Sequence, residues 1–542
     1  MTIGSMSSEK ENLHPSWSQW LLPSAGDLIF VALLSVLVYS AVAVRLLGDA
    51  GIGWHIRTGQ LILAAHRIPH VDPFSSTMSG QPWFAWEWLY DVLVGWLDQA
   101  TGLNGVVFFT ASIIALTFSW TFHLLLRRGT SFPVALILVL LAASASMIHF
   151  FARPHVVSWL FSVAWFYILD SSERRESDSF SSDRRSWLLW LLPIGMLAWV
   201  NLHGGFLLGF VLLGIYWLSA VREYFQSGEG RFENALRKIR AGQRSRRLAL
   251  VGILSALATL ANPYGWRLHL HIYHYLSNRF LMDHIDEFQS PNFHGVAQKC
   301  FAALLLLALV ALAAKKRDET VRLSEAIVLL FAAYSGLYAA RNIPVSALLL
   351  ILVIGPRLSA SLQTVQNISG LQPATRPRFF RRMETIEVAL RGHVWPIAAL
   401  AITCWIAFHG GKLGTRQFMN SHFDGKRFPS RAVDYFQSQN LQGSVFAPDS
   451  WGGYLIYRLY PQVKVAVDDR HDLYGEQFLK TYLKMMHVEP GWQNFLQRYP
   501  VQYVLVPKDS ALASILAETP HWQPIYSDDV AVVFGPANPK AQ

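Results

Sequence analysis

The chain has 542 residues, 52% of them hydrophobic and only 15% charged, with a formal net charge of +10. Soluble domains carry about 25% charged residues, and the shortfall here falls in apolar runs of membrane-spanning length, which excludes an ordinary soluble globule and a disordered chain. The positive charge sits in connectors between those runs, so it reads as membrane orientation and no nucleic-acid partner is expected.

A polar tail, residues 1–27, contains Glu9, Lys10 and Glu11 and reads as cytoplasmic. The apolar run behind it reads as a signal anchor, not a cleaved leader. Eleven spans are expected, near 28–47, 102–126, 131–149, 155–169, 187–200, 204–221, 248–262, 300–314, 324–340, 343–355 and 394–409. With the N-terminus inside, the inner connectors collect most of the Lys and Arg. They hold Arg127 and Arg128; Arg174, Arg175, Arg184 and Arg185; the run from Arg222 through Arg231 to Arg247; Lys315, Lys316, Arg317 and Arg322; and Arg357, Arg376, Arg378, Arg381, Arg382 and Arg391. The outer connectors hold few, which sets N-terminus in and C-terminus out. Cys300 and Cys404 each lie in or beside an apolar run, so neither a disulfide framework nor a thiolate metal site is expected.

Residues 28–409 therefore read as a transmembrane domain and 410–542 as a small extracytoplasmic α/β domain. In the latter, VFAP (445–448), VKVAVD (463–468), QYVLVP (502–507) and VAVVFG (530–535) read as strands. Segments 430–439, 476–487 and 511–518 read as helices between them. WGGYLIYRL (451–459) reads as glycines at a strand turn. No internal repeat is visible, whereas secondary transporters tend to show paired halves.

The outer connectors are unusual. The first is long, 48–101, and contains GDAGIGWHIRTG (48–59), IPHVDPFSS (68–76) and PWFAWEWLYD (82–91). Later ones carry FARPH (151–155), VNLHGG (200–205), ANPYGW (261–266) and AARN (339–342). Together they present Asp49, His55, Arg57, Asp72, Glu87, Arg153, His155, Asn201, His203 and Arg341 on one side. Ionisable groups at span ends are costly unless they face water or one another, so convergence on one cavity is expected. Trp54 and Trp266 read as part of an aromatic belt. Trp83, Trp86 and Trp88 read as a loop helix in the interface, with Trp86 and Trp88 on different faces. Residues 54–66 read as an amphipathic helix. Asp283, Asp286 and Glu287 read as solvated charge.

These motifs resemble the GT-C glycosyltransferases, among them oligosaccharyltransferases, protein mannosyltransferases and the aminoarabinose transferase of lipid A. The nearer resemblance is to an uncharacterised bacterial branch whose first loop runs D-x-D-x-W-W-H-x-x-T-G, P-x-x-D-P-F-S and P-W-x-x-x-E-W. Asp49, Trp54, His55, Thr58 and Gly59 match the first motif. Pro69, Asp72, Pro73, Phe74 and Ser75 match the second, and Pro82, Trp83, Glu87 and Trp88 the third. Gly51 and Gly53 depart from it, standing where relatives often have a second Asp and a second Trp; the first removes one carboxylate of a two-carboxylate metal site.

The resemblance implies transfer of a sugar from a polyprenyl-phosphate carrier to an acceptor at the extracytoplasmic face of a membrane, expected to be the bacterial inner membrane. The alternatives are a polysaccharide polymerase or ligase of the same superfamily, or a secondary transporter. The chemistry needs a base for the acceptor proton and positive charge for the leaving phosphate. Asp49 is the first choice for the base because the superfamily places a carboxylate at the end of the first span; Asp72 and Glu87 are its rivals, although Asp72 before Pro73 also suits a turn. Arg153, Arg341 and His155, with His55 and Arg57, are candidates for the phosphate. Asn201 and His203 are candidates for substrate contact, His203 equally for a packing turn. No metal ligands are assigned; a divalent cation is compatible with the sequence and not required by it.

Overall fold

A computed structural model describes residues 17–177, 186–227, 232–313, 321–368, 387, 390 and 393–537. Residues 1–16 of the tail, with Lys10, and Arg184, Arg185, Arg231, Lys315, Lys316, Arg317, Arg376, Arg378, Arg381, Arg382 and Arg391, lie outside the described residues.

Helices run through all eleven apolar segments. Six are long and apolar enough to cross a membrane: Gln19–Tyr39, Leu103–Arg127, Phe132–His149, Gly204–Gln226, Val296–Ala313 and Ala340–Leu362. Trp187–Leu202, Leu323–Tyr338 and Val394–Phe408 are apolar but shorter. The chain is thus an integral membrane protein, and length and composition qualify six of the eleven expected spans. At the centre, Ala347 to Ile354 are almost wholly buried, so this helix is apolar all round because other helices surround it. The first segment is not continuous to residue 47. Helix Ala25–Tyr39 stops at Ser40, whose hydroxyl donates to the Val36 carbonyl at 2.6 Å and accepts from the Val42 N–H at 3.1 Å, and a short helix Val42–Leu46 follows. A serine hydroxyl offering the backbone other partners is what interrupts the helical ladder.

Polar side chains gather at two ends of the bundle. At one, Asp170, Glu173 and Glu325 bind Arg128, Arg174, Arg322 and Arg357, for example Arg174 Nε to Asp170 at 2.9 Å and Arg357 Nη2 to Glu325 at 2.5 Å. At the other lie the first loop and the FARPH, NLHGG and AARN turns. Helix His155–Ser177 touches both ends, and the fifteen rises from His155 to Asp170 separate them by about 22 Å.

The first loop is structured. Helix Ile52–Ala65 packs against helix Trp88–Thr101. Between them, residue 71 bridges residue 82 antiparallel, and Ser75 bridges Val465 of the C-terminal region. Trp83 and Trp86 precede the second helix instead of riding on it. Trp83 is pinned by its N–H to the His70 carbonyl at 2.9 Å, and Ala85 by its N–H to the Tyr264 hydroxyl at 2.7 Å.

After helix Val394–Phe408 comes a hairpin, β1 (Lys412–Leu413) and β2 (Arg416–Gln417). A five-stranded sheet follows, made of β3 (Gly443–Phe446), β4 (Val463–Val465), β5 (Tyr503–Pro507), β6 (Trp522–Ser527) and β7 (Ala531–Pro536), in the order β4-β3-β5-β7-β6. β3 runs parallel to β4 and β5; β7 runs antiparallel to β5 and β6. WGGYLIYRL is not a strand turn. It forms helix Asp449–Leu459, and its glycines permit close contact: a Cβ at Gly453 would overlap the Ala50 carbonyl, and one at Gly53 the Gly453 carbonyl. The sheet and the helices share buried apolar residues, Val445 and Leu505 belonging to the same contiguous core as Leu46 and Trp54.

Candidate active site

The turn after helix Val42–Leu46 delivers Asp49. Its Oδ1 accepts from the Gly51 N–H at 2.8 Å and from Arg153 Nη1 at 3.0 Å. Arg153 belongs to the FARPH turn, which is tied to the first segment by the Ala152 N–H to the Leu46 carbonyl at 2.7 Å. The same Nη1 meets Asp469 Oδ2 at 2.6 Å. Asp469 Oδ1 accepts from Trp54 Nε1 at 3.0 Å. A carboxylate of the first loop and one of the C-terminal region thus share one guanidinium. Burial, with Asp49 nearby, pushes the Asp469 carboxyl up to about 6 against the pull of Arg153.

Trp54 is buried and stacks on His55 with ring centroids 3.6 Å apart, so it is a wall of the cluster and not part of a belt. Trp266 is 63% exposed. His55 Nδ1 lies 2.6 Å from Asp91 Oδ1, both fully buried. Burial raises the Asp91 carboxyl and lowers the His55 imidazole, so the neutral pair is favoured. His55 Nε2 faces Glu87 Oε2 at 3.7 Å. On the other flank, His203 Nδ1 accepts from the Gly205 N–H at 3.0 Å and lies 2.7 Å from the Ser158 hydroxyl, which also receives Trp199 Nε1. Burial, helped by Arg341, keeps His203 neutral. Its proton therefore sits on Nε2, 3.6 Å from Glu87 Oε1. Glu87 stands between the Nε2 atoms of two imidazoles. Burial pushes its carboxyl up to about 7, although Arg153 and Arg341 oppose the rise.

The remaining expected residues have other partners. Arg341 pairs with Glu287 at 3.8 Å and lies over the Phe288 ring, close enough to act on Glu87 and His203. The Glu287 side chain stays 43% exposed, and Arg341 holds its carboxyl down to about 2 against the effect of burial. His155 Nε2 contacts the His149 carbonyl at 2.8 Å. Asn201 accepts from Trp88 Nε1 at 2.7 Å and donates to the carbonyls of Leu197 and Ala261. Arg57 donates from Nε to the Tyr457 carbonyl at 2.9 Å and holds the first loop to the C-terminal region. Asp72 is buried; it accepts from the Ser75 N–H at 2.9 Å and pairs with Arg470 at 2.8 Å, which in turn pairs with Asp468 at 2.7 Å. That network joins two parts of the chain.

Two members, Asp91 and Ser158, were not singled out from sequence, and Asp469 stood out only as one of the charged residues of VDDRHDLYG (467–475). Asp91 stands four residues after Glu87, a same-face helical spacing that was available as a signal. Ser158 lies one turn into an apolar helix with nothing to mark it. Asp469 sits 420 residues from Asp49, and only the fold brings them together.

No known family's sequence profile matches the chain, and no curated protein does. Among solved structures, the oligosaccharyltransferase of Archaeoglobus fulgidus, crystallised with a tethered acceptor peptide, superposes with a TM-score of 0.51 at 14% identity, over 89% of this chain and 68% of that one. ArnT from Cupriavidus metallidurans, in the apo state, aligns over 94% of this chain and 95% of that one at 14% identity, with a TM-score of 0.46. The fold of this chain is therefore similar to that of the oligosaccharyltransferase.

Proposed function

We propose that the chain transfers a glycosyl group from a polyprenyl-phosphate donor to an acceptor nucleophile at the end of the bundle that carries the first loop, the face away from the cytoplasm. The Lys and Arg bias of the connectors supports that orientation. The observation that carries the chemistry is Glu87: a buried carboxyl pushed up to about 7, between two neutral imidazoles and near Arg153. A general base works best when its pKa lies near the working pH. Asp49, tied by Oδ1 to Arg153 and to a backbone N–H, is better placed to hold the arginine than to take a proton.

In this reading Glu87 accepts the proton as the acceptor oxygen or nitrogen attacks the anomeric carbon. The bond from that carbon to the phosphate oxygen breaks, and polyprenyl phosphate leaves with its negative charge beside Arg153. The Nε2–H of His203 holds the Glu87 carboxylate before the transfer, with the His55 ring on its other side. Contacts of 3.6–3.7 Å are loose for hydrogen bonds, as catalytic contacts without substrate often are.

The test supplies purified protein with radiolabelled polyprenyl-phosphate sugars and a cell-envelope extract as acceptor. Glu87→Gln should lower the turnover rate by about 10²–10⁴-fold with an unchanged elution profile. Full activity in Glu87→Gln alongside none in Asp49→Asn would return the base to Asp49.

A further inference from the structure

Asp49 and Asp469 aim one oxygen each at a single point, and that point is Arg153 Nη1, at 3.0 and 2.6 Å. Two carboxylates converging from distant parts of a chain can also cage a divalent cation, and the family pattern offers a further carboxylate at position 51. Here that position is glycine. A Cβ at Gly51 would overlap Arg153 Nη1 and Asp469 Oδ2. The missing side chain is what lets the guanidinium in. Among the described residues no three His, Cys, Asp or Glu side chains form a group able to hold a metal ion. A divalent cation therefore does not fit between these carboxylates while Arg153 stands there.

The arginine is also not used up. Both ion pairs run through Nη1, and among the described residues Nε and Nη2 have no hydrogen-bond partner. The side chain keeps 21% of its surface exposed, and it lies against the Trp54 ring at 5.9 Å. The geometry points to Arg153 as a built-in cation that occupies the place of a divalent metal and presents its free edge to a phosphate, with Gly51 as the residue that makes room for it. A guanidinium edge suits two oxygens of one phosphate and carries its charge at every working pH. The phosphate source rests on the proposed donor; the exclusion of metal does not.

The experiment uses the full chain in lipid nanodiscs. Binding of Mn²⁺ is read by electron paramagnetic resonance, and binding of polyprenyl monophosphate and of inorganic phosphate is titrated in EDTA and in Mn²⁺. The wild type should bind polyprenyl monophosphate equally in both and should take up no stoichiometric Mn²⁺. Arg153→Ala should weaken phosphate binding about 10- to 100-fold and gain a Mn²⁺ site, which a second change, Asp469→Asn, removes. Arg153→Lys keeps the charge and should still refuse Mn²⁺; with the wild-type spectrum it decides the matter if Arg153→Ala does not fold. A wild type that binds one Mn²⁺ and loses it in Asp49→Asn overturns the inference, as does Arg153→Ala with unaltered phosphate affinity. A wild type that binds inorganic phosphate through Arg153 and ignores polyprenyl monophosphate upholds the built-in cation and overturns the proposed donor.

Discussion

At the basic end of the bundle, Glu325 receives Arg128, Arg322 and Arg357, and Asp170 receives Arg128, Arg174 and Arg322. At the first-loop end, Glu87 faces two imidazoles without closing a hydrogen bond to either, and among the described residues His55 Nε2, Asp91 Oδ2 and the Tyr90 hydroxyl are buried without a hydrogen-bond partner. Both ends take ionisable groups out of water. One compensates each carboxylate with several guanidiniums, which removes any reason for a proton to move. The other leaves its carboxyl short of compensation, and the cost of that burial appears as a raised affinity for protons. A buried carboxylate can brace a fold or do chemistry, and what separates the two is how completely its partners answer its charge.

That contrast predicts different failures. The largest effect is on rate, in Glu87→Gln, as given above. Glu325→Ala should instead cost about 3–5 kcal/mol of stability, because it strands buried arginines. Thermal unfolding in detergent would show this, with turnover of the surviving folded fraction near wild type. A Glu325→Ala protein that melts like the wild type would erase the distinction between the two ends.

The pH dependence sharpens it further. The base must be ionised, so turnover should fall about tenfold per pH unit below about 7 and level off above it. Stability should move the other way. The Glu87 carboxyl is raised from its ordinary 4.5, so the fold favours its protonated form; that contribution is present below pH 4.5 and lost as pH rises through about 7. Glu87→Gln, permanently neutral, should therefore melt higher than the wild type at pH 8 and not at pH 4. The smallest effect expected is from Arg57→Ala, about 1.5 kcal/mol for its lost hydrogen bonds to the Tyr457 carbonyl, with the pH profile unmoved. A shifted profile would place Arg57 in the chemistry.

The helical architecture was legible because apolar runs bounded by basic connectors obey one rule, and β3, β4, β5 and β7 because short β-branched runs obey another. β6 was missed: Trp522–Ser527 contains Pro524 and alternates poorly, as suits an edge strand that needs only one partner. The helix at 449–459 was misread because paired glycines ordinarily signal a turn, whereas here they are needed where this helix meets the first loop. In the site, the first-loop motifs marked Asp49, His55 and Glu87. Sequence spacing carried no information on who partners whom. Asp72 and Arg57 look as promising in the chain as Glu87 does, and only their partners, Arg470 and the Tyr457 carbonyl, set them apart.

The contact between the first loop and helix Asp449–Leu459 has a consequence for biosynthesis. Asp49, Arg153 and Glu87 emerge from the ribosome early, while Asp469 and Arg470 emerge hundreds of residues later. Until then Arg153 has one carboxylate instead of two, Asp72 has no arginine, and the glycine-lined seam at Gly53 lies open. The half-made protein is a membrane bundle with an unfinished pocket. Fitting the last segment both completes the candidate site and closes the seam.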